Sequence, residues 1–509
     1  MKLQELLRGL TYTFENTDGK ALSDREEIER AQETWVSDVV NDSRKLSEGC
    51  LFICISGMKS DGHDYAAEAV RKGAAAILIS HDVNVMEEAA QTGSHPVLIR
   101  VPDTRYAMAF VSAAWYGHPA ERMKLIGVTG TKGKTTTTYM IRSILERAGI
   151  RTGLIGTIET LYEGHSIPSA NMTPESIVLQ KTFRDMADCG VQAVVMEVSS
   201  QALKLHRTQG FVFDLGIFTN LSPDHIGEGE HKDFDEYLEC KSRLFRQCRV
   251  GIVNGDDPHC DEILKESTCE VERFGTGGGN DLIADNISLV HTPGELGVQF
   301  DVHGLVEMHA HVPAPGRFSV YNALCAIAVC RHFGVDASDI GRALAGIHVK
   351  GRIEMVKVSD SFTLLIDYAH NAMALESLLT TLREYHPHRL VTAFGCGGNR
   401  DRNRRFEMGE VSGRLSDLSI ITSDNPRFEK PLDIIADILT GIQPTGGAYV
   451  EIPDRKEAIA YAIDHGEPGD IIILAGKGHE DYQEICGVKH PMDERVLIAE
   501  ILQERKKEH

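Results

Sequence analysis

The sequence predicts an α/β protein of three domains: a small α/β domain, a central parallel-sheet domain and a Rossmann-like carboxy-terminal domain. Short apolar runs of strand length alternate with helix-like stretches through most of the chain. A glycine-rich loop sits at a strand-to-helix turn, where a parallel sheet places its ligands. At 509 residues and 42% hydrophobic content, the chain can build several cores and is too long for one.

From Trp35 to about Val101, the apolar runs Leu51 to Ile55, Ala74 to Ile79 and Pro96 to Val101 alternate with helical stretches such as Tyr65 to Lys72. The helix Thr104 to Tyr116 stops at Gly117-His118-Pro119, and a new strand starts at Met123 to Val128, so the first domain is expected to span 1–103. The strands Val191 to Met196, Leu215 to Phe218 and Gly251 to Val253 continue a central domain over 104–350. Within it, Asp281 to Val312 is β-rich and turn-rich and predicts a hairpin excursion before a helix over Val320 to His332. Beyond Gly351, the strands Thr363 to Ile366, Leu390 to Phe394, Leu418 to Thr422, Ala448 to Ile452 and Ile471 to Leu474 alternate with helices, giving a third domain over 351–509.

Composition narrows the function. Against 75 acidic residues stand 53 Lys and Arg, and the net charge of -22 repels nucleic acid and anionic membranes, so an anionic ligand needs a locally basic cleft. The 11 cysteines are scattered and form no CxxC pair, which reads as reduced thiols and neither a zinc site nor a disulfide framework. The amino terminus lacks the apolar core of a secretory leader, and no apolar run is long enough to cross a bilayer. A cytoplasmic monomer, with no nucleic-acid partner and no membrane insertion, is expected.

Gly130-Thr131-Lys132-Gly133-Lys134-Thr135-Thr136 follows an apolar strand and opens a helix. Glycines there let backbone N–H groups approach phosphate oxygens, and the helix amino end adds its dipole. Lys134 supplies a charge and Thr135 a hydroxyl for Mg2+, so ATP is the expected ligand. Mg2+ needs further oxygen ligands, and Glu197 ends the strand Ala193-Val194-Val195-Met196 at its ligand-facing end. A third strand ends at Thr219-Asn220-Leu221-Ser222-Pro223-Asp224-His225, which brings His225 to the same edge.

At this point the chain resembles the Mur ligases, the amide-forming enzymes of peptidoglycan precursor synthesis. TGTKGKTT, MEVSS, NLSPDH, YLECKSRLF, the Asn322 segment, GRIE, IDYAH, GCGGNRD, DNPR and GKGHE occur in that family's order. The resemblance implies that ATP phosphorylates the D-glutamate side-chain carboxylate of UDP-MurNAc-L-Ala-D-Glu and that an amine then attacks the acyl phosphate. Lys134, Glu197, His225 and Lys241 are the implied catalytic residues. Thr135 and Glu197 hold one Mg2+, and His225 with a carbamate on Lys241 holds a second; without the resemblance Lys241 reads as a solvated helix lysine. Asn322, Arg352 and Asp367 are implied at the base, phosphates and ribose. Ser43, within Asp42-Ser43-Arg44, and the loop Gly57 to Gly62 are implied for the uridine side, with Met172, Thr173, Ser199 and Arg207 for the muramoyl dipeptide. Met172, Leu205, Ser319 and Asn371 depart from the family's usual residues.

Asp424, Asn425, Pro426 and Arg427, together with Arg400, Gly476 and Glu480, are implied for the incoming amino acid. The Arg427 fork suits the distal carboxylate of meso-diaminopimelate, which L-lysine lacks. L-Lysine or another diamino acid, and a folylpolyglutamate synthase-like ligase, stay open as alternatives. A GTPase or kinase would need a guanine motif or a base-catalytic loop, and neither is present. A non-catalytic nucleotide sensor would need no set such as Lys134, Glu197, His225 and Lys241.

Overall fold

The computed structural model describes all 509 residues except Met58, Lys59, His225, Glu228, Pro293, Gly294 and His509. It divides into two compact units, Met1–Phe274 and Gly275–His509.

The first unit opens with a five-stranded sheet in the order Thr13–Glu15, Val97–Arg100, Ala76–Ile79, Leu51–Ile53, Val39–Val40, parallel except for its first strand. Its strands read as unbroken apolar runs because both faces are covered. Leu51, Ile53, Leu78 and Ile99 pack with Leu6 and Met108 on one face, while Phe52, Ile77, Ile79 and Leu98 pack with Val70 on the other. The helix expected over Tyr65 to Lys72 is Ala66–Arg71, entered through a tight turn, Gly62–Tyr65, that Asp61 caps.

The second sheet of this unit runs Glu270–Gly275, Cys248–Asn254, Phe213–Phe218, Lys124–Thr129, Ala193–Glu197, Thr152–Ile155, all parallel. Two antiparallel strands, Glu159–Tyr162 and His165–Pro168, extend its edge. Lys124–Thr129 comes first in the chain yet lies mid-sheet, with later strands on both sides. Its carboxyl end is therefore the switch point at which open α/β sheets bind ligands. A Cβ at Gly127 would lie 2.8 Å from the Phe213 ring, so glycine there lets neighbouring strands share that packing.

In the second unit a six-stranded sheet has the order Glu354–Val356, Thr363–Asp367, Ile471–Ala475, Leu390–Phe394, Leu418–Ile421, Tyr449–Glu451. All but the first strand are parallel. Leu365, Ile421, Ile471 and Ile473 pack beneath the helices Ala372–Arg383, Asn403–Leu415 and Pro431–Ile442. Ile366, Val391, Ile472 and Leu474 pack against Arg455–Asp464 and Glu494–Glu508.

The β-rich stretch is an antiparallel ladder of Leu282–Thr292, Glu295–Gly304 and Met308–Val312. It is anchored on this unit's core. Leu289 and Leu296 join the cluster of Leu375, Leu379 and Leu382. The buried Tyr385 hydroxyl donates to the Gly297 carbonyl at 2.8 Å and accepts from Gly316 N–H at 2.9 Å. The next helix, Arg317–Arg331, begins three residues earlier than expected, directly after Gly316 at φ 91°.

Candidate active site

Three strand ends of the first unit build the phosphate loop. Lys124–Thr129 leads into it and the helix Lys134–Arg147 leaves it, with Gly133 at φ 87°. A Cβ at Gly130 would lie 2.0 Å from Thr219 Oγ1, so only glycine fits where the two strand ends meet. Thr131 N–H donates to the Asn220 carbonyl at 2.9 Å, and Lys132 N–H donates to Asn220 Oδ1 at 2.9 Å. Both contacts tie the loop to the end of the neighbouring strand.

Two lysines meet beneath it. Lys134 Nζ donates to the carbonyls of Gly130 and Thr131 at 2.9 and 3.0 Å, and Lys241 Nζ donates to Gly130 at 2.9 Å. Lys241, on the helix Phe234–Ser242, is 1% exposed and lies 4.5 Å over the Tyr237 ring. Loss of hydration, followed by the charge of Lys134, pushes its pKa well below the ordinary lysine value. Burial of this kind favours the uncharged amine, which is the nucleophilic form.

The expected oxygen pair is also assembled. Thr135 Oγ1 donates to the fully buried Glu197 carboxylate, 3.0 and 3.1 Å from its two oxygens. Thr157 adds its N–H at 2.8 Å and its hydroxyl at 3.1 Å. A hydroxyl and a carboxylate at one point form the hard donor set that suits Mg2+. His225, assigned to the second metal, lies outside the described residues.

Beside this pair, Thr173 Oγ1 donates to the Glu197 carbonyl at 2.9 Å and accepts from Ser199 N–H at 3.1 Å. Arg207 donates to the Thr173 carbonyl at 3.0 Å and pairs with Glu175 at 2.6 Å. Glu175 also meets Arg105, which donates to the Ser56 carbonyl, one residue before the expected uridine-side loop 57–62. Thr173, Ser199 and Arg207 are thus gathered at Glu197, with partly buried Met172 next in the chain. Glu175, Thr157 and Tyr237 were missed by the sequence reading, because each acts through a pairing distant in sequence. Ser43 heads a short turn capped by Asp42, whose carboxyl hydrogen bonds to Arg44 hold at about 2.

Asp61, His63 and His81 form a tempting metal triad in the first unit. Ser80 N–H donates to His63 Nε2 at 3.0 Å, so that nitrogen is unprotonated and Nδ1 carries the proton toward Asp61 at 2.6 Å. A metal on Nδ1 would leave an imidazolate, so the group is a structural bracket.

In the second unit Asp367 ends the strand Thr363–Asp367 and Arg352 lies just before the neighbouring strand Glu354–Val356. Asp367 accepts from Ile353 and Ala369 N–H, both at 2.8 Å, and desolvation raises its carboxyl pKa against the pull of Arg352. Arg352 lies 5.0 Å over the Tyr368 ring. Asn322 is buried in the helix Arg317–Arg331. Arg207 in the first unit and Arg352 in the second each keep a buried Nε with no hydrogen-bond partner among the described residues, an arrangement suited to a bound anion.

The remaining residues cluster after Leu390–Phe394, Leu418–Ile421 and Ile471–Ala475. Asn425 bridges two of these loops: its Nδ2 donates to Glu480 at 2.9 Å, and its Oδ1 accepts from Lys477 at 3.0 Å. Lys477 also pairs with Glu480 at 2.7 Å. Gly476 lies against Asp424, where a Cβ would come 2.8 Å from Oδ2. A Cβ at Gly397 would lie 3.2 Å from Arg427 Nη1 and 3.8 Å from Arg400 Cγ, which puts both arginines on one glycine. Pro426 is buried and its carbonyl faces Gly398.

Three family models match along the chain: the Mur ligase family catalytic domain over residues 36–115, the Mur ligase middle domain over 128–330, and the Mur ligase, glutamate ligase domain over 351–478. The chain is 40% identical to the UDP-N-acetylmuramoyl-L-alanyl-D-glutamate--2,6-diaminopimelate ligase of Caldanaerobacter subterraneus, with both chains covered in full. The chain belongs to the Mur ligase family. As a member it is an ATP-dependent, amide-forming ligase of peptidoglycan precursor synthesis. It is 41% identical to the ligase of the same name from Alkaliphilus metalliredigens, over 94% of this chain and 95% of that one. A solved diaminopimelate ligase structure superposes with a TM-score of 0.71 at 27% identity, covering 99% of both chains. Among the described residues no helix is long and apolar enough to cross a membrane.

Proposed function

We propose that the chain joins meso-2,6-diaminopimelate to the D-glutamate side chain of UDP-MurNAc-L-Ala-D-Glu, acting as a cytoplasmic monomer. Residues 1–103 serve the UDP-sugar, 104–350 the ATP and 351–509 the amino acid. The observation that carries the choice of amino acid is Arg427, placed by Gly397 and Gly398 beside Arg400 and near Asn425 and Glu480. That grouping offers a cationic fork to a distal carboxylate and a carboxylate to a distal ammonium. The names of the full-length relatives support the same reading.

The substrate carboxylate attacks the γ-phosphorus of ATP, the bond to the β–γ bridging oxygen breaks, and ADP leaves. The diaminopimelate amine then adds to the acyl carbon, phosphate departs, and the amine loses a proton. Lys134 and the loop N–H groups hold the phosphates, and Arg207 with Ser199 steers the acceptor. Thr135 and Glu197 would hold one Mg2+; His225 and Lys241, the latter carbamylated by CO2 at its amine with loss of a proton, would hold a second. When bound, these ions offset charge on the phosphoryl oxygens.

Phosphate release tests the reading, with ATP, UDP-MurNAc-dipeptide and either meso-diaminopimelate, L-lysine or no amino acid. Stimulation by diaminopimelate is expected. Stimulation by lysine alone overturns the specificity, and stimulation by neither overturns the activity.

A further inference from the structure

Arg427 is locked by a hairpin that carries none of the expected site residues. The strands Tyr482–Ile485 and Val488–Pro491 turn through Cys486 and Gly487, with φ of 49° and 79°, the left-handed pair that suits a two-residue hairpin. Arg427 itself has φ 52°, unusual for a side-chain-bearing residue. Its N–H donates to the Glu484 carbonyl at 3.0 Å, and its carbonyl accepts from Cys486 N–H at 2.7 Å.

The side chain is fixed from two directions. Nη1 donates to the Gly398 carbonyl at 2.7 Å, and Nε donates to Glu484 Oε2 at 3.1 Å. Among the described residues nothing accepts from Nη2. A guanidinium binds a carboxylate through two parallel N–H groups, either along the Nε side or across the Nη end. Glu484 takes Nε and Gly398 takes one N–H of Nη1, which leaves Nη2 and the second N–H of Nη1 to meet a carboxylate across the Nη end.

We infer that Glu484 is a positioning residue for amino-acid selection: it turns Arg427 so that the Nη end meets the distal carboxylate of the incoming diamino acid. The inference rests on the diaminopimelate reading above. Charge balance agrees with it. Arg427 is matched by Glu484 and Lys477 by Glu480 at 2.7 Å, so a zwitterionic amino-acid head enters without unbalancing the site. L-Lysine brings an ammonium with no carboxylate for the Nη end.

The test compares wild type, Glu484→Ala and Glu484→Gln by steady-state phosphate release. Glu484→Ala is expected to raise KM for meso-diaminopimelate roughly ten-fold or more, with kcat and the KM for ATP little changed, because the fork is misaimed while the phosphate site is intact. Preference for diaminopimelate over L-lysine narrows by the same factor. Glu484→Gln keeps an oxygen for Nε and is expected to recover most of the loss. An unchanged KM and preference in Glu484→Ala overturns the inference, as does a Gln variant no better than Ala at equal thermal stability. If wild type itself shows no diaminopimelate stimulation, the underlying reading has failed instead.

Discussion

Lys134 and Lys241 donate to the same acceptor, the carbonyl oxygen of Gly130, each at 2.9 Å. Two ammonium groups on one buried carbonyl repel each other, and the arrangement is relieved when one amine gives up its proton. Lys241 is the more buried of the two, and its pKa is pushed well below the ordinary lysine value.

Substituting Lys241 therefore separates charge from chemistry. Lys241→Ala is expected to lose most activity, and Lys241→Arg to restore none of it, because a guanidinium stays charged and cannot take up CO2. Near-normal turnover of either variant in the phosphate-release assay would remove Lys241 from the reaction.

Glu197→Gln replaces an acceptor of three hydrogen bonds with an amide that must turn its NH2 toward a donor. A Mg2+ requirement shifted about 10–100-fold upward is expected, along with a stability loss of about 1–3 kcal/mol. Magnesium titration of activity and urea denaturation measure the two effects; an unshifted titration would remove Glu197 as a ligand.

Tyr385→Phe deletes one hydroxyl and strands two backbone groups, Gly316 N–H and Gly297 C=O. The expected cost is about 1–3 kcal/mol in chemical denaturation of the full chain. A loss within experimental scatter of zero would mean that water satisfies both groups.

His479 sets an acid limit on stability. Burial, followed by the charge of Arg352, lowers its pKa to about 4 from the ordinary 6.5. The native chain keeps it neutral while the unfolded chain binds a proton, so its stabilising effect is complete above about 6.5 and is lost as pH falls toward about 4. At roughly 1.4 kcal/mol per pKa unit the effect is at most about 3.5 kcal/mol, less the share that solvent screening removes from a partly exposed ring. His479→Gln should flatten the dependence of Tm on pH in that window, and an unchanged slope would assign it to another group.

Much of this was legible in the sequence, for physical reasons. The strand Lys124–Thr129 and its glycines announce themselves because a buried parallel strand is uniformly apolar and a phosphate loop needs small residues. Glu197 was legible because a carboxylate ending such a strand has few other uses. Lys241 was not: nothing local on its helix distinguishes a buried lysine from a solvated one, and only the resemblance singled it out. Arg427 is singled out by its motif, but its partner Glu484 lies 57 residues on in an ordinary-looking hairpin, and such pairings leave no local trace. The anchoring of the stretch 281–312 by Tyr385 was invisible for the same reason.

The close approach of the glycine loop to the Arg427 loop limits how the ligase can be re-engineered. A Cβ at Gly398 would lie 1.9 Å from the Pro426 carbonyl oxygen, and one at Gly395 would lie 2.3 Å from the Thr422 carbonyl oxygen. Backbone meets backbone there with no side chain between to absorb a change. Transplanting a lysine-type loop into 424–427 alone would therefore import a foreign main-chain path against an unyielding surface. The two loops form one exchangeable cassette, and a graft that alters substrate choice has to carry both.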